Sequence, residues 1–390
     1  MPLALFALTI SAFAIGTTEF VIVGLVPTIA QQLAVSLPSA GMLVSIYALG
    51  VAIGAPVLTA LTGRLPRKQL LVALMVLFTV GNLLAWQAPG YMTLIAARLL
   101  TGLAHGVFFS IGSTIATSLV PKEKAASAIA IMFGGLTVAL VTGVPLGTFI
   151  GQHFGWRETF LAVSLLGVIA LMSSQLLIPA NIPGRAAASI RDQVKVLTHP
   201  RLLLIYAVTA LGYGGVFTAF TFLAPMMQDL AGFSPAAVSW ILLGYGVSVA
   251  IGNIWGGKLA DKHGAVPALK FIFAALFVLL MVFQVTASTQ YAALATILVM
   301  GIFAFGNVPG LVYVVQKAEQ FTPNAVDVAS GLNIAAFNIG IALGSVIGGQ
   351  TVAHYGLAQT PWIGALIVLV AFLLMGVSGR LDKPVRIALE

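Results

Sequence analysis

The tetrapeptide Val51-Ala52-Ile53-Gly54 returns unchanged as Val249-Ala250-Ile251-Gly252, 198 residues further along the chain. Working outward, the same offset lays Tyr47 on Tyr245, Leu61 on Leu259 and Pro27 on Pro225. Towards the end of each half the offset slips to 197, and Gly143, Gly147 and Gly151 meet Gly340, Gly344 and Gly348. The chain is therefore two like halves carried in parallel. In a membrane chain such a repeat implies a transporter that rocks one half against the other.

Composition places the chain in lipid. It has 390 residues, 60% hydrophobic and 7% charged, with a mean hydropathy of +1.08; a soluble domain carries roughly a quarter charged residues. Cysteine is absent, which removes disulfides, thiolate metal sites and Cys nucleophiles. A net charge of +8 would suggest nucleic acid in a soluble protein. Here the basic residues sit in short gaps between apolar runs and are read as setting topology, with no nucleic-acid partner.

About twelve apolar runs have the roughly 20 residues a bilayer requires. They fall near 3–30, 39–61, 69–87, 92–119, 126–151, 158–178, 202–228, 236–257, 267–286, 290–316, 326–352 and 360–378. The runs are too long, and lack the period-two alternation, for a membrane barrel. The expected fold is all-α integral membrane, with twelve transmembrane helices in two pseudo-symmetric six-helix bundles. The first bundle is 1–178 and the second 202–378, followed by a tail over 379–390. Between them 179–201, with Pro183, Gly184, Arg185, Arg191, Asp192, Lys195 and Pro200, is a linker, either a plain tether or one holding a short surface helix.

Of the 18 Lys and Arg residues, all but Arg98 and Arg157 fall on one side of an even twelve-span count. The positive-inside rule then predicts that both termini are cytoplasmic. Ala12-Phe13-Ala14 faintly resembles a signal-peptidase site, but no basic segment precedes it and cleavage would break the repeat, so none is expected.

Ionisable groups inside a span are costly, which makes each a functional candidate. Glu19 lies deep in the first run, within Gly16-Thr17-Thr18-Glu19-Phe20; Arg98 and His105 lie in the fourth, and the second half has none at depth. Low dielectric disfavours a carboxylate, so Glu19 is suited to take and release a proton near neutral pH, the alternative being a protonated acid in one structural hydrogen bond. Arg98 and His105 are seven residues apart and share a helix face. A buried guanidinium needs a partner, and a direct or water-bridged Glu19–Arg98 pair is the sharper expectation; bonding of Arg98 to backbone carbonyls is the alternative. His105 is either a proton relay or a packed neutral side chain. Polar groups in otherwise apolar spans are the candidate substrate-lining residues: Thr18, Tyr47, Tyr213, Tyr245, Asn253, Asn307, Asn333 and Asn338.

Gly143, Gly147 and Gly151 form a smooth strip for close helix packing, and Pro145 within it frees the Val141 carbonyl, a candidate pivot. Gly257-Lys258-Leu259-Ala260-Asp261-Lys262-His263-Gly264 after the eighth run closely matches the cytoplasmic signature of the major facilitator superfamily. Arg98-x3-Gly102 with His105-Gly106 resembles its fourth-helix signature, and Gly143-Val144-Pro145-Leu146-Gly147 resembles its antiporter signature. With Gly16-Thr17-Thr18-Glu19-Phe20, and over essentially its whole length, the chain resembles the bacterial twelve-helix drug:proton antiporters, in the arabinose efflux permease and sugar efflux transporter branch. The resemblance implies export driven by inward proton movement across the bacterial inner membrane. The first-half loop departs from it: Gly63 stands where the signature has an Asp and Pro66 where it has a Gly, beside Arg64, Arg67 and Lys68. That leaves Asp261, between Gly257 and Gly264, as the expected gating lock.

These readings combine into alternating access: a proton on Glu19 favours one facing state and substrate loading the other. The expected partners are protons, the bilayer and a small-molecule substrate, with a monomeric chain and the proton gradient in place of any cofactor. Sugars, phenicols and nucleosides all remain open as substrates. A proton-independent facilitator of the same fold is the rival reading. An intramembrane enzyme would need a nucleophile–base pair or metal cluster at depth, which five scattered His and one buried acid do not supply.

Overall fold

The computed structural model of the chain describes residues 2–62, 64–121, 124–182, 190–304 and 307–382, with all their side chains except those of Ala126, Ile190, Asn307 and Val308. Gly63, Pro183, Gly184 and Arg185, named above, lie outside the described residues, as do residues 383–390 of the tail and the side chain of Asn307.

Twelve helices are long and apolar enough to cross a membrane. They are α1 (Leu3–Gln32), α2 (Leu37–Leu61), α3 (Arg67–Trp86), α4 (Tyr91–Ser118), α5 (Ser127–His153), α6 (Trp156–Leu177), α7 (Pro200–Leu230), α8 (Pro235–His263), α9 (Ala265–Thr286), α10 (Gln290–Phe321), α11 (Pro323–Tyr355) and α12 (Leu357–Leu381). α10 is described in two pieces, Gln290–Ala304 and Asn307–Phe321. A nine-residue helix, Ile190–Thr198, stands between α6 and α7.

The clearest difference from the sequence reading is the end of α8. Nothing between Gly257 and His263 breaks a helix, so the turns continue until Gly264, whose φ of 88° terminates them. Gly257 and Asp261 are thus helical and not in a loop.

The repeat is visible in the joints. Ser36 caps α2 by accepting from the Ser39 amide, and Ser234, 198 positions on, caps α8 by accepting from the Ala237 amide. The repeated tetrapeptide also has a packing reason. A Cβ added to Gly54 would lie 2.6 Å from the Leu103 carbonyl oxygen of α4, and one added to Gly252 would lie 1.9 Å from the Ile302 carbonyl oxygen of α10. Both glycines let two backbones touch, once in each half. The glycine ladders behave alike: Gly143, Gly147 and Gly151 of α5 seat Thr17, Val21 and Leu25 of α1, while Gly340, Gly344 and Gly348 of α11 press on the carbonyls of Ala210, Gly214 and Thr218 in α7.

Helices widen next to proline. Residues Ala139–Gly143 form a π turn just before Pro145, and Met226–Leu230 form one just after Pro225. Gly54–Leu58, with Pro56 inside it, is a third. A π turn absorbs the missing backbone donor without ending the helix. α1 by contrast continues as regular helix through Pro27.

An even number of spans returns both chain ends to one end of the bundle, which also carries Arg64, Arg67, Lys68, Lys258 and Lys262 and is here termed the basic end. The halves meet chiefly through α2 with α11, α5 with α8 and α1 with α7. They are in contact away from the basic end. There Ser239 donates to Gln152 Oε1 at 3.1 Å, Phe222 fills the notch left by Gly41, and Pro38 stands beside Gly349. Nearer the basic end, Gly134 of α5 and Gly331 of α11 have no atom within 4 Å of an added Cβ.

Candidate functional site

Four side chains from three helices converge inside the first half: Glu19 from α1, Tyr47 from α2, and Arg98 and His105 from α4. All are buried, with exposures of 6%, 1%, 1% and 5% in that order. α2 and α4 approach this closely because Gly50, Gly54, Gly102 and Gly106 interleave; a Cβ on Gly102 would lie 2.2 Å from the Tyr47 carbonyl oxygen.

Arg98 donates to three main-chain oxygens: Thr18 O at 2.6 Å, Leu43 O at 3.3 Å and Glu19 O at 3.4 Å. Its guanidinium carbon sits 4.1 Å from the centroid of the Tyr47 ring. The charge is therefore held by carbonyl dipoles and an aromatic face. Arg98 thus takes the alternative arrangement, bonded to backbone carbonyls: it reaches Glu19 through the main chain, and no direct ion pair joins the two side chains. The Glu19 carboxyl instead stands 3.9 Å from His105 Nδ1, and the same nitrogen shares a 3.0 Å hydrogen bond with the Tyr47 hydroxyl.

Glu19 lines a small cavity between the halves, about 10 Å³ and so with room for about one water. Glu19 and Tyr47 are its polar lining. Phe20 and Val44 on one side, and Phe217 and Ile341 on the other, make apolar walls. The repeat is broken at this point. Phe217, which faces the cavity, is the residue 198 positions after Glu19, and with Gly102 laid on Gly301, Arg98 and His105 fall on Ile297 and Ala304. Tyr47 keeps its counterpart in Tyr245, whose hydroxyl is buried without a partner and whose ring stacks on Phe220 at 5.0 Å. Among the described residues, the charged groups buried deep within the spans lie in the first half.

The other residues nominated from sequence are placed as follows. Thr18 turns away from the cavity and donates to Asn82 Oδ1 at 2.8 Å. Asn333 accepts from Thr209 at 2.8 Å, joining α7 to α11. Tyr213 packs edge-on to Phe337 at 4.4 Å. Asn253 and Asn338 each leave a buried Oδ1 without a partner, while Asn338 Nδ2 returns to its own helix at Ile334 O. Of the eight nominated lining residues, the cavity takes in Tyr47, bound into the charged cluster. Asp261 is exposed and makes no ion pair among the described residues. Arg64 is exposed and Arg67 half-buried.

The family model for the Major Facilitator Superfamily matches residues 8–318 and 232–388. The chain belongs to the major facilitator superfamily. This superfamily member is 52% identical over 384 residues to the uncharacterized MFS-type transporter YtbD of Bacillus subtilis (strain 168), covering 98% of this chain and 97% of that one. It is 42% identical to the inner membrane transport protein YdhP of Escherichia coli (strain K12), over 96% of each chain. It is 32% identical to the putative transporter AraJ of the same strain, over 90% of this chain and 88% of that one. In fold it resembles a bacterial homologue of the human lysosomal transporter Spinster, with a TM-score of 0.77 at 16% identity, over 97% of this chain and 96% of that one. The facilitator chain is thus a multi-pass membrane transporter and not an enzyme.

Two features of this facilitator were missed in the sequence. Asn82 in α3 looks like an isolated polar residue, yet it ties α3 to α1 through Thr18. Asp382, just past α12, looks like one more tail charge. It pairs with Arg201 at the start of α7 and lies 2.7 Å from Lys317 of α10, while Tyr313 donates to its second oxygen at 2.8 Å. Burial would push its carboxyl up, but hydrogen bonds from Lys317, Tyr313 and Arg201 outweigh that and hold it below the usual 3.8. Among the described residues no group of three His, Asp or Glu side chains could hold a metal ion.

Proposed function

We propose that this transporter is a proton-coupled antiporter that exports a small molecule, a sugar or an amphiphilic drug, by alternating access. Glu19 carries the proton. The observation that carries the reading is a lone carboxyl at the meeting plane of the halves, beside His105, with the neighbouring guanidinium engaged by backbone oxygens. A carboxyl so placed changes charge at small geometric cost when its water access changes, so proton occupancy biases which side the halves open to.

The transporter sits in the bacterial inner membrane with its basic end and both termini in the cytoplasm. The one-sided Lys and Arg distribution supports the orientation, and the relation to YdhP supports the membrane. It works as a monomer and needs no cofactor beyond the proton gradient. A facilitator without proton coupling is the second reading, favoured if Glu19 serves only to complete the cluster. The test is solute-evoked proton movement in proteoliposomes with an entrapped pH dye and a panel of sugars and phenicols, wild type beside Glu19→Gln. A solute that moves protons only through the wild type supports antiport; counterflow with no proton signal in either supports the facilitator.

A further inference from the structure

A second cavity, about 480 Å³, lies at the basic end on the outer flank of the first half, between the start of α3 and the end of α6. Its mouth is polar, with Lys68 and Gln69 from the first turn of α3 and Gln175 from the last turns of α6. Val72 and Ala73, one turn deeper on α3, give it an apolar floor, and Ala180, just past α6, lines it nearer the mouth. The grading continues below the cavity. Ala73, Val76 and Val80 follow Gln69 down one exposed face of α3, and Met172, Ile169 and Leu165 lie exposed along α6. In the middle of the span Gly167 of α6 presses on Phe78 and Thr79 of α3, so the two helices touch there and part at the basic end.

Among the described residues lining the cavity, the charged one is Lys68. Lys68, Arg67 and Arg64 make no ion pair with any described residue. The helix start adds to this: Pro66, which also lines the cavity, caps α3 without a side-chain acceptor, and the positive end of the helix dipole lies at this start. An unpaired cation, two amide side chains and an apolar groove running with the helices match the two ends of one ligand class. The head is a phosphate and the body is hydrocarbon.

We infer that this groove binds an anionic glycerophospholipid of the leaflet at the basic end, its phosphate at Lys68, Gln69 and Gln175 and an acyl chain along Val72, Ala73 and Val76. The site is separate from the cavity at Glu19 and independent of the proton-coupling reading. It gives the unpaired basic loop a role beyond topology: holding the flank of α3 against α6.

The experiment is native mass spectrometry of the full-length, delipidated protein titrated with phosphatidylglycerol, with phosphatidylcholine and, separately, with inorganic phosphate. Wild type is expected to bind phosphatidylglycerol on the order of fivefold more tightly than phosphatidylcholine, the equivalent of about 1 kcal/mol for one cation at a membrane surface. Lys68→Gln should remove that preference, and Gln175→Leu should weaken it. Lys258→Gln, at the same end but on α8, should leave it unchanged. All three substitutions fall at half-buried or exposed positions, and matching melting temperatures will exclude misfolding as the cause. Equal binding of the two lipids, or an unaltered preference in Lys68→Gln, overturns the proposal. So does inorganic phosphate binding as tightly as the lipid, which would make this an ion site only.

Discussion

The Tyr47 hydroxyl and His105 Nδ1 share a hydrogen bond of 3.0 Å across the α2–α4 contact, with the Glu19 carboxyl 3.9 Å from the same nitrogen. Tyr47 also lies under the Arg98 guanidinium, so one side chain touches both basic members of the cluster. Its two contacts are separable by substitution. Tyr47→Phe keeps the ring beneath Arg98 and deletes the hydrogen bond, which should lower stability by about 0.6 kcal/mol, the usual worth of such a bond in a membrane. Tyr47→Ala removes both and should cost several times more. In proteoliposomes Tyr47→Phe is expected to lower proton-coupled flux while solute counterflow persists. Equal loss of both activities would place Tyr47 on the substrate instead.

The backbone contact at Gly252 allows a test with a control on the same helix. Gly252→Ala forces a methyl group to within 1.9 Å of the Ile302 oxygen. α8 and α10 must then separate, at about 1–3 kcal/mol for overpacking. Gly256→Ala meets nothing closer than 3.8 Å and gains helix propensity, so it should be neutral or slightly stabilising. Melting temperatures in detergent check both.

The repeat explains how much of this was legible. Gly54 and Gly252 announce themselves because the same backbone contact is needed twice, and a hard steric need leaves the same letter in both halves. The twelve spans were legible because lipid demands long apolar runs. Glu19 was legible because charge at that depth is costly. Partnership was not: nothing in the spacing says that Arg98 will meet carbonyls of α1 before it meets the Glu19 carboxyl, since this depends on helix rotation of a few tens of degrees. Tyr47 was nominated for substrate for the same reason, as a polar group whose direction sequence leaves open. Asp382 was passed over because a charge after the last span reads as tail, and its partners Arg201 and Lys317 are distant in sequence.

Asp382 gives a pH prediction. Its carboxyl is held below 3.8 in the folded protein, so its contribution to stability is fully present above that pH. It fades as pH falls below 3.8 and through its own lower value. Asp382→Asn should therefore lower the melting temperature near neutral pH, and the gap from wild type should shrink on acidification below pH 3.8. A gap that is constant across this range would show that the cluster holds by packing and not by charge.

The cysteine-free chain suits a crosslinking test of closure. A Cβ on Gly349 would lie 3.5 Å from Pro38 Cβ across the two halves, within the range spanned by a disulfide. The double variant Pro38→Cys with Gly349→Cys should crosslink under oxidant and stop transport, and reductant should restore it. Transport at an unchanged rate with the bond formed would contradict rocking at this end.

The central claim is that Glu19 couples proton movement to transport, and the most direct measurement compares two modes in one preparation. Solute accumulation driven by an imposed pH gradient and solute counterflow without one are measured in proteoliposomes of wild type and Glu19→Gln. The account predicts that Glu19→Gln loses gradient-driven accumulation and keeps counterflow. Accumulation that survives in Glu19→Gln at the wild-type level would contradict it.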